Sequence, residues 1–231
     1  MLLSELDFSN MQSIGLSILT VLQTLIVVMI ALTFHEVAHG FTAKLLGDKT
    51  ASRMGRLSLN PIKHLDPIGF ICMVLFGFGW ARPVPIDARN FKNPKLGMAI
   101  SALAGPITNL ILAFLILVPY ELMFFFLENQ MITVSSEFGA NLIQAVINFV
   151  GTFHSLNLAF AVFNFIPVPP LDGSRVLYVF LPKKLYFGVM KYERAISMVL
   201  LLLLYVGVLD RPLIAITSFL SEGMQWLLPI V

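Results

Sequence analysis

The sequence predicts an all-α, multi-pass membrane protein, and three observations carry that prediction. Of 231 residues, 58% are hydrophobic and 12% charged, against about 25% charged in soluble domains. Mean hydropathy is +0.87. Apolar runs long enough to cross a bilayer as helices, about 20 residues each, recur along the chain. The first, Ile14 to Phe34, holds no charged residue. In lipid every backbone group needs an internal partner, and a helix supplies these within one segment.

Each element follows from local chemistry. Helix one is expected from about Met11 to Leu46, with a stop at Gly47-Asp48. Glu5 and Asp7 replace the basic start of a cleavable signal, so this run is expected to stay in the membrane. Lys49 to Asp66 is polar and basic. Pro67 to Trp80 is apolar but too short to cross, which predicts a re-entrant or half-spanning segment. The segment after it has prolines at 83, 85 and 94. With the alternation around Val84 and Ile86, that predicts a short strand or hairpin near 77–90 at the membrane edge. A second span is expected from Leu96 to about Leu127, across Gly105-Pro106, and a third from Gly139 to Phe165. The proline-rich stretch 166–170 ends it. A basic loop at 183–194 precedes two apolar stretches, Ala195 to Leu209 and Pro212 to Pro229.

Charge narrows the setting. A net charge of +2 without a basic stripe gives no reason to expect nucleic acid as a partner. The single cysteine, Cys72, excludes an intrachain disulfide and a cysteine-type zinc site. It is expected to pack as a small apolar residue. Basic loops follow helix one, lie around 81–95 and recur at 183–194, whereas the N-terminus and the 121–137 loop are acidic. The positive-inside rule then puts the basic loops in the cytosol.

Chemistry enters at His35-Glu36-Val37-Ala38-His39, at the end of the first apolar run. The pattern is HExxH. Residues i and i+4 share one helix face, so His35 and His39 can reach one zinc ion. Glu36 projects roughly 100° away and can act on a zinc-held water without being a ligand. A chance HExxH on an ordinary helix is the bland alternative. It must explain three ionisable residues clustered on one otherwise apolar helix, where such groups are costly.

A catalytic zinc needs a third protein ligand. Glu121, Glu128 and Glu137 fall on the wrong side, and Asp48 and Asp87 look like solvated loop residues. His154 is expected towards the opposite side of the membrane, in a structural contact between helices. Asp172 follows the helix-breaking prolines and precedes Gly173, at the depth of the histidines. Its alternative use is an N-cap for a short helix at Ser174 to Leu181. His64 and Asp66 are the runner-up ligands, with His64 also a candidate second-layer or gating group.

Five segments carry a family resemblance: HEVAHG (35–40), NPIKHLDPIG (60–69), GWARPVPID (79–87), AGPITN (104–109) and NFIPVPPLDG (164–173). Together they resemble the site-2 protease family, intramembrane zinc metalloproteases of the M50 type, in its compact prokaryotic form. The resemblance implies a three-helix catalytic core and hydrolysis of peptide bonds in or near transmembrane segments, as in regulated intramembrane proteolysis. It implies one zinc per chain on His35, His39 and Asp172, with Glu36 as catalytic base. Asn164 is implied to hold substrate or the developing oxyanion, although an amide bonding neighbouring helices is an equal reading. Asn109 carries the same two readings.

A single integral membrane peptidase domain is then expected over 1–231, with the core at about 11–182 and accessory helices at about 191–231. No PDZ-like or CBS module is expected. The expected partners are a transmembrane protein or peptide substrate and the bilayer, with oligomeric state open. The expected location is a prokaryotic cell membrane, with the site towards the cytoplasm. The competing reading is a non-catalytic zinc-binding membrane protein, chaperone-like or transporter-like. Glu36 argues against it, since a structural or transport site has no use for a base beside the metal.

Overall fold

A computed structural model of the chain describes residues 11–76, 79–132 and 136–228. The acids Glu5 and Asp7, positions 77 and 78 of the expected edge strand, and Pro229 lie outside them. The described chain is helical: α1 (Met11–Leu45), α2 (Thr50–Arg53), α3 (Pro67–Phe76), α4 (Pro94–Glu128), α5 (Glu137–Phe165), α6 (Asp172–Phe180), α7 (Lys183–Lys191), α8 (Glu193–Tyr205) and α9 (Asp210–Trp226).

Three of these helices are long and apolar enough to cross a membrane, within α1, α4 and α5. Helix α1 ends where expected, with Gly47 in the left-handed region at φ +114°. Asn93 caps α4, its side chain accepting from Leu96 N at 3.3 Å, and Pro94 takes the first turn, where no amide is needed. Ser136 caps α5 through Gly139 N at 3.1 Å. Helix α4 runs on through Pro106 and Pro119.

Helix α4 is central, packing against α1, α5 and α6. Its buried positions include the small residues Ala99, Ala102, Gly105 and Ala113. Small side chains let helix axes approach closely, which substitutes for the hydrophobic drive that lipid removes. The outward faces of α1 and α4 expose Leu22, Ile26, Ile107, Ile111 and Leu115, as a lipid-facing surface requires.

Helices α8 and α9 meet at a bend of 79° and together form at most one broken crossing. Helix α9 rests on α5, where His154 is buried. Its Nδ1 lies 2.9 Å from Ala113 O and its Nε2 2.9 Å from Ser221 Oγ, the structural contact expected of it.

The basic stretch expected as a loop at 183–194 is instead largely helix, as α7. The expected edge strand is reduced to extended chain. Among the described residues its only ladder-type contact is one antiparallel bridge, Leu65 to Ala81. Pro83 and Pro85 remove two of the donors that a ladder would use.

That extended segment is tied down at both ends. Arg82 N donates to His64 O at 2.8 Å, and Arg56 Nη2 donates to Arg82 O at 2.7 Å. At the far end Asp48 is fully buried, a correction to its reading as a solvated loop residue. Its carboxylate accepts from Asp87 N at 2.8 Å, Asn90 Nδ2 at 2.7 Å and Thr50 N at 3.0 Å, and from Thr50 Oγ1. Burial pushes its pKa up, but these bonds outweigh burial and hold it below the usual carboxylate range. Asp87 does keep solvent contact, and Arg89 holds it at about 2.

Asp48→Ala should therefore loosen residues 79–90. It strands buried donors at about 1–3 kcal/mol each, and thermal unfolding in detergent should fall by several degrees, with faster proteolysis of that segment. Because the folded pKa lies below the unfolded one, Asp48 stabilises fully above the unfolded value and loses its effect as pH falls through the folded value. The gap between wild type and variant should accordingly shrink in acid.

Candidate metal centre

Helix α1 carries His35 and His39 one turn apart, their rings perpendicular at 89° with centroids 4.5 Å apart. Both turn a nitrogen towards one carboxylate oxygen. Asp172 Oδ2 lies 3.0 Å from His35 Nε2 and 3.2 Å from His39 Nε2. The potential ligand atoms of the three residues lie within 4.8 Å of one another, the one such group among the described residues. Two imidazole nitrogens and one carboxylate oxygen suit zinc and leave a fourth position open.

Local sequence explains how Asp172 arrives there. It is the first residue of α6 and makes no cap hydrogen bond, so the N-cap reading does not hold. A Cβ on Gly173 would sit 2.4 Å from Phe165 O and 2.6 Å from Ile166 O. Only glycine lets α6 start folded back on the end of α5.

The approach from α4 is equally tight. A Cβ on Gly105 would lie 2.5 Å from His39 Nε2 and 2.6 Å from His35 Cε1. The missing side chain leaves the space that the converging nitrogens face.

His35, Glu36 and His39 are all buried, and each has a partner on another element. Asn109 Oδ1 lies 2.6 Å from His35 Nδ1, and Ser101 O lies 2.8 Å from His39 Nδ1. Val84 N, in the extended segment, donates to Glu36 Oε2 at 2.7 Å. Asn109 in turn donates to Asn157 Oδ1 at 2.8 Å. Neither Asn157 nor Val84 stands out in the sequence as a site residue. A lone amide on a helix and an apolar residue in a loop carry no spacing signal.

The sequence candidates divide cleanly. Asn164 lines the same cleft of about 520 Å³ as His35, Glu36, His39 and Asp172, and donates to Phe160 O at 3.0 Å. His64 is buried elsewhere, its Nε2 2.7 Å from Ser58 O, and lines a neighbouring apolar cavity. Asp66 accepts from Gly69 N at 2.8 Å in the first turn of α3. The structure brings neither runner-up ligand to the centre.

A model of peptidase family M50 matches residues 23–206. Two curated proteins bearing the name "Putative zinc metalloprotease" are similar to the chain. YwhC of Bacillus subtilis is 43% identical over 157 residues, 68% of each chain. MJ0611 of Methanocaldococcus jannaschii is 32% identical over 162 residues, 70% of this chain and 72% of that one. No solved structure matches significantly.

Gly105→Ala should lower zinc affinity by at least about tenfold while α-helical content in detergent stays the same. Equilibrium dialysis checks it. Unchanged affinity would show that no ion sits between the imidazoles and α4.

Proposed function

The chain belongs to peptidase family M50, and from that premise we propose that it hydrolyses peptide bonds in or near the transmembrane segments of other membrane proteins. The observation that carries the reading is the convergence of His35, His39 and Asp172 on one point, with Glu36 beside them, at the end of an apolar span. The substrate is a transmembrane protein or peptide, and the physiological setting is regulated intramembrane proteolysis. The site faces the cytoplasm of a prokaryotic cell, as the distribution of basic loops supports.

The cofactor is zinc, held by His35, His39 and Asp172. When bound it lowers the pKa of a water towards ~7 and polarises the scissile carbonyl. The residues of the chain do the rest. Val84 N–H holds Glu36 Oε2, which leaves the other carboxylate oxygen to take the proton of the attacking water. Glu36 then passes that proton to the departing amine. Asn164 stands on the cleft wall, and its second amide N–H, beyond the one given to Phe160 O, is the proposed donor to the substrate carbonyl. A transmembrane helix hides its peptide bonds, so cleavage requires local unwinding. The extended segment 79–87 lines the cleft beside Glu36 and supports an unwound chain there.

The test is a paired assay on detergent-purified protein, reading zinc per chain and cleavage of a single-span peptide. Glu36→Ala should retain zinc and lose cleavage by about a hundredfold or more. Asp172→Ala should lose zinc and cleavage together. A Glu36→Ala protein that cleaves like wild type, or a wild type that binds no zinc, sinks the reading.

A further inference from the structure

We propose that Asn157 and Asn109 form a one-way hydrogen-bond relay that sets the tautomer of His35, so that Asn157 is a positioning residue for a metal it never touches. The inference rests on the zinc reading above.

The relay takes its direction from groups that can only accept. Asn157 Nδ2 donates to the carbonyl oxygen of Phe153 at 2.9 Å. That contact turns Asn157 Oδ1 outward, where it receives Asn109 Nδ2 at 2.8 Å. Asn109 Nδ2 also lies 3.4 Å from the carbonyl oxygen of Ala31, a second acceptor. Both contacts hold the amino end of Asn109 away from His35. Its oxygen therefore faces His35 Nδ1, at 2.6 Å. An acceptor at that distance requires the proton on Nδ1. The lone pair is then on Nε2, the nitrogen that turns to Asp172 and the proposed zinc position.

His39 reaches the same tautomer by a simpler route, because its Nδ1 faces the carbonyl of Ser101 at 2.8 Å. A backbone carbonyl cannot be reversed. A carboxamide can: rotated by half a turn, Asn109 would present N–H to His35, drive the proton to Nε2 and block ligation. Asn109 and Asn157 are both fully buried, which leaves them to orient each other without solvent. Outer partners of metal-bound histidines commonly matter about 10–100-fold in affinity. The bland reading is an Asn–Asn bond that merely joins two membrane helices. It predicts a loss of stability that does not depend on which residue stands at 109.

The experiment measures Zn²⁺ affinity of the full chain in detergent by chelator competition. Asn109→Leu should weaken binding about 10–100-fold. Asn109→Asp is read together with Asn157→Leu, because with Asn157 in place its second carboxylate oxygen would face Asn157 Oδ1, an acceptor. Asn157→Leu should weaken zinc about tenfold alone, and adding Asn109→Asp should bring affinity back to within about threefold of wild type, because either carboxylate oxygen accepts from Nδ1–H and a carboxylate has no wrong end. Where the leucine variant does not fold, Asn157→Asp keeps the acceptor oxygen and should bind zinc within about threefold of wild type. No loss on Asn157→Leu, no recovery on adding Asn109→Asp, or failure of Asn157→Asp to bind would overturn the relay. A wild type without zinc would instead overturn the protease reading beneath it.

Discussion

The dominant constraint is the cost of polar groups at membrane depth. Each unpaired group there costs several kcal/mol, and α1 brings two imidazoles and a carboxylate together in one turn. Much of the architecture answers that demand. Helix α4 supplies Asn109 and the Ser101 carbonyl to the histidines, the segment before it supplies Val84 N–H to the glutamate, and α6 brings Asp172 to both Nε2 atoms. The glycine at 105 follows from the same demand, because the α4 backbone comes within contact distance of the histidines, and Gly173 lets α6 start against the end of α5.

A second layer of order comes from outside the three long helices. The extended segment that reaches Glu36 has almost no ladder of its own. It is held by the Leu65–Ala81 bridge, by the His64 carbonyl and by the buried carboxylate of Asp48. The base is thus positioned from the polar end of α1 as much as from the helix that bears it.

Much of this was legible in the sequence, for physical reasons. Long apolar runs can only be spans, and HExxH at the end of one is rarely accidental. The stop at Gly47 follows from local chemistry, the residue adopting the left-handed backbone that glycine favours. Asp172 was reachable by position and by scarcity of alternatives. What escaped depends on contacts between distant segments. Asp48 looks like any loop acid until Asn90 and Asp87 come to meet it. Asn157 looks like any helix amide until Asn109 faces it across the bundle. The edge strand that prolines and alternation suggest near 77–90 shrinks, among the described residues, to one bridge, because Pro83 and Pro85 carry no amide hydrogen for a ladder. The lysines at 183, 184 and 191 suggest a loop, yet lysine is a good helix former and this stretch is α7.

The bond from Val84 to Glu36 also acts as a registration mark. Its neighbours on both sides, Pro83 and Pro85, have no amide hydrogen. A slip of one residue in either direction would bring a bare proline nitrogen opposite the carboxylate. The segment therefore has no near-miss alignment in which Glu36 is partly satisfied. Correct threading of the loop is scored at a single atom, in an all-or-nothing way.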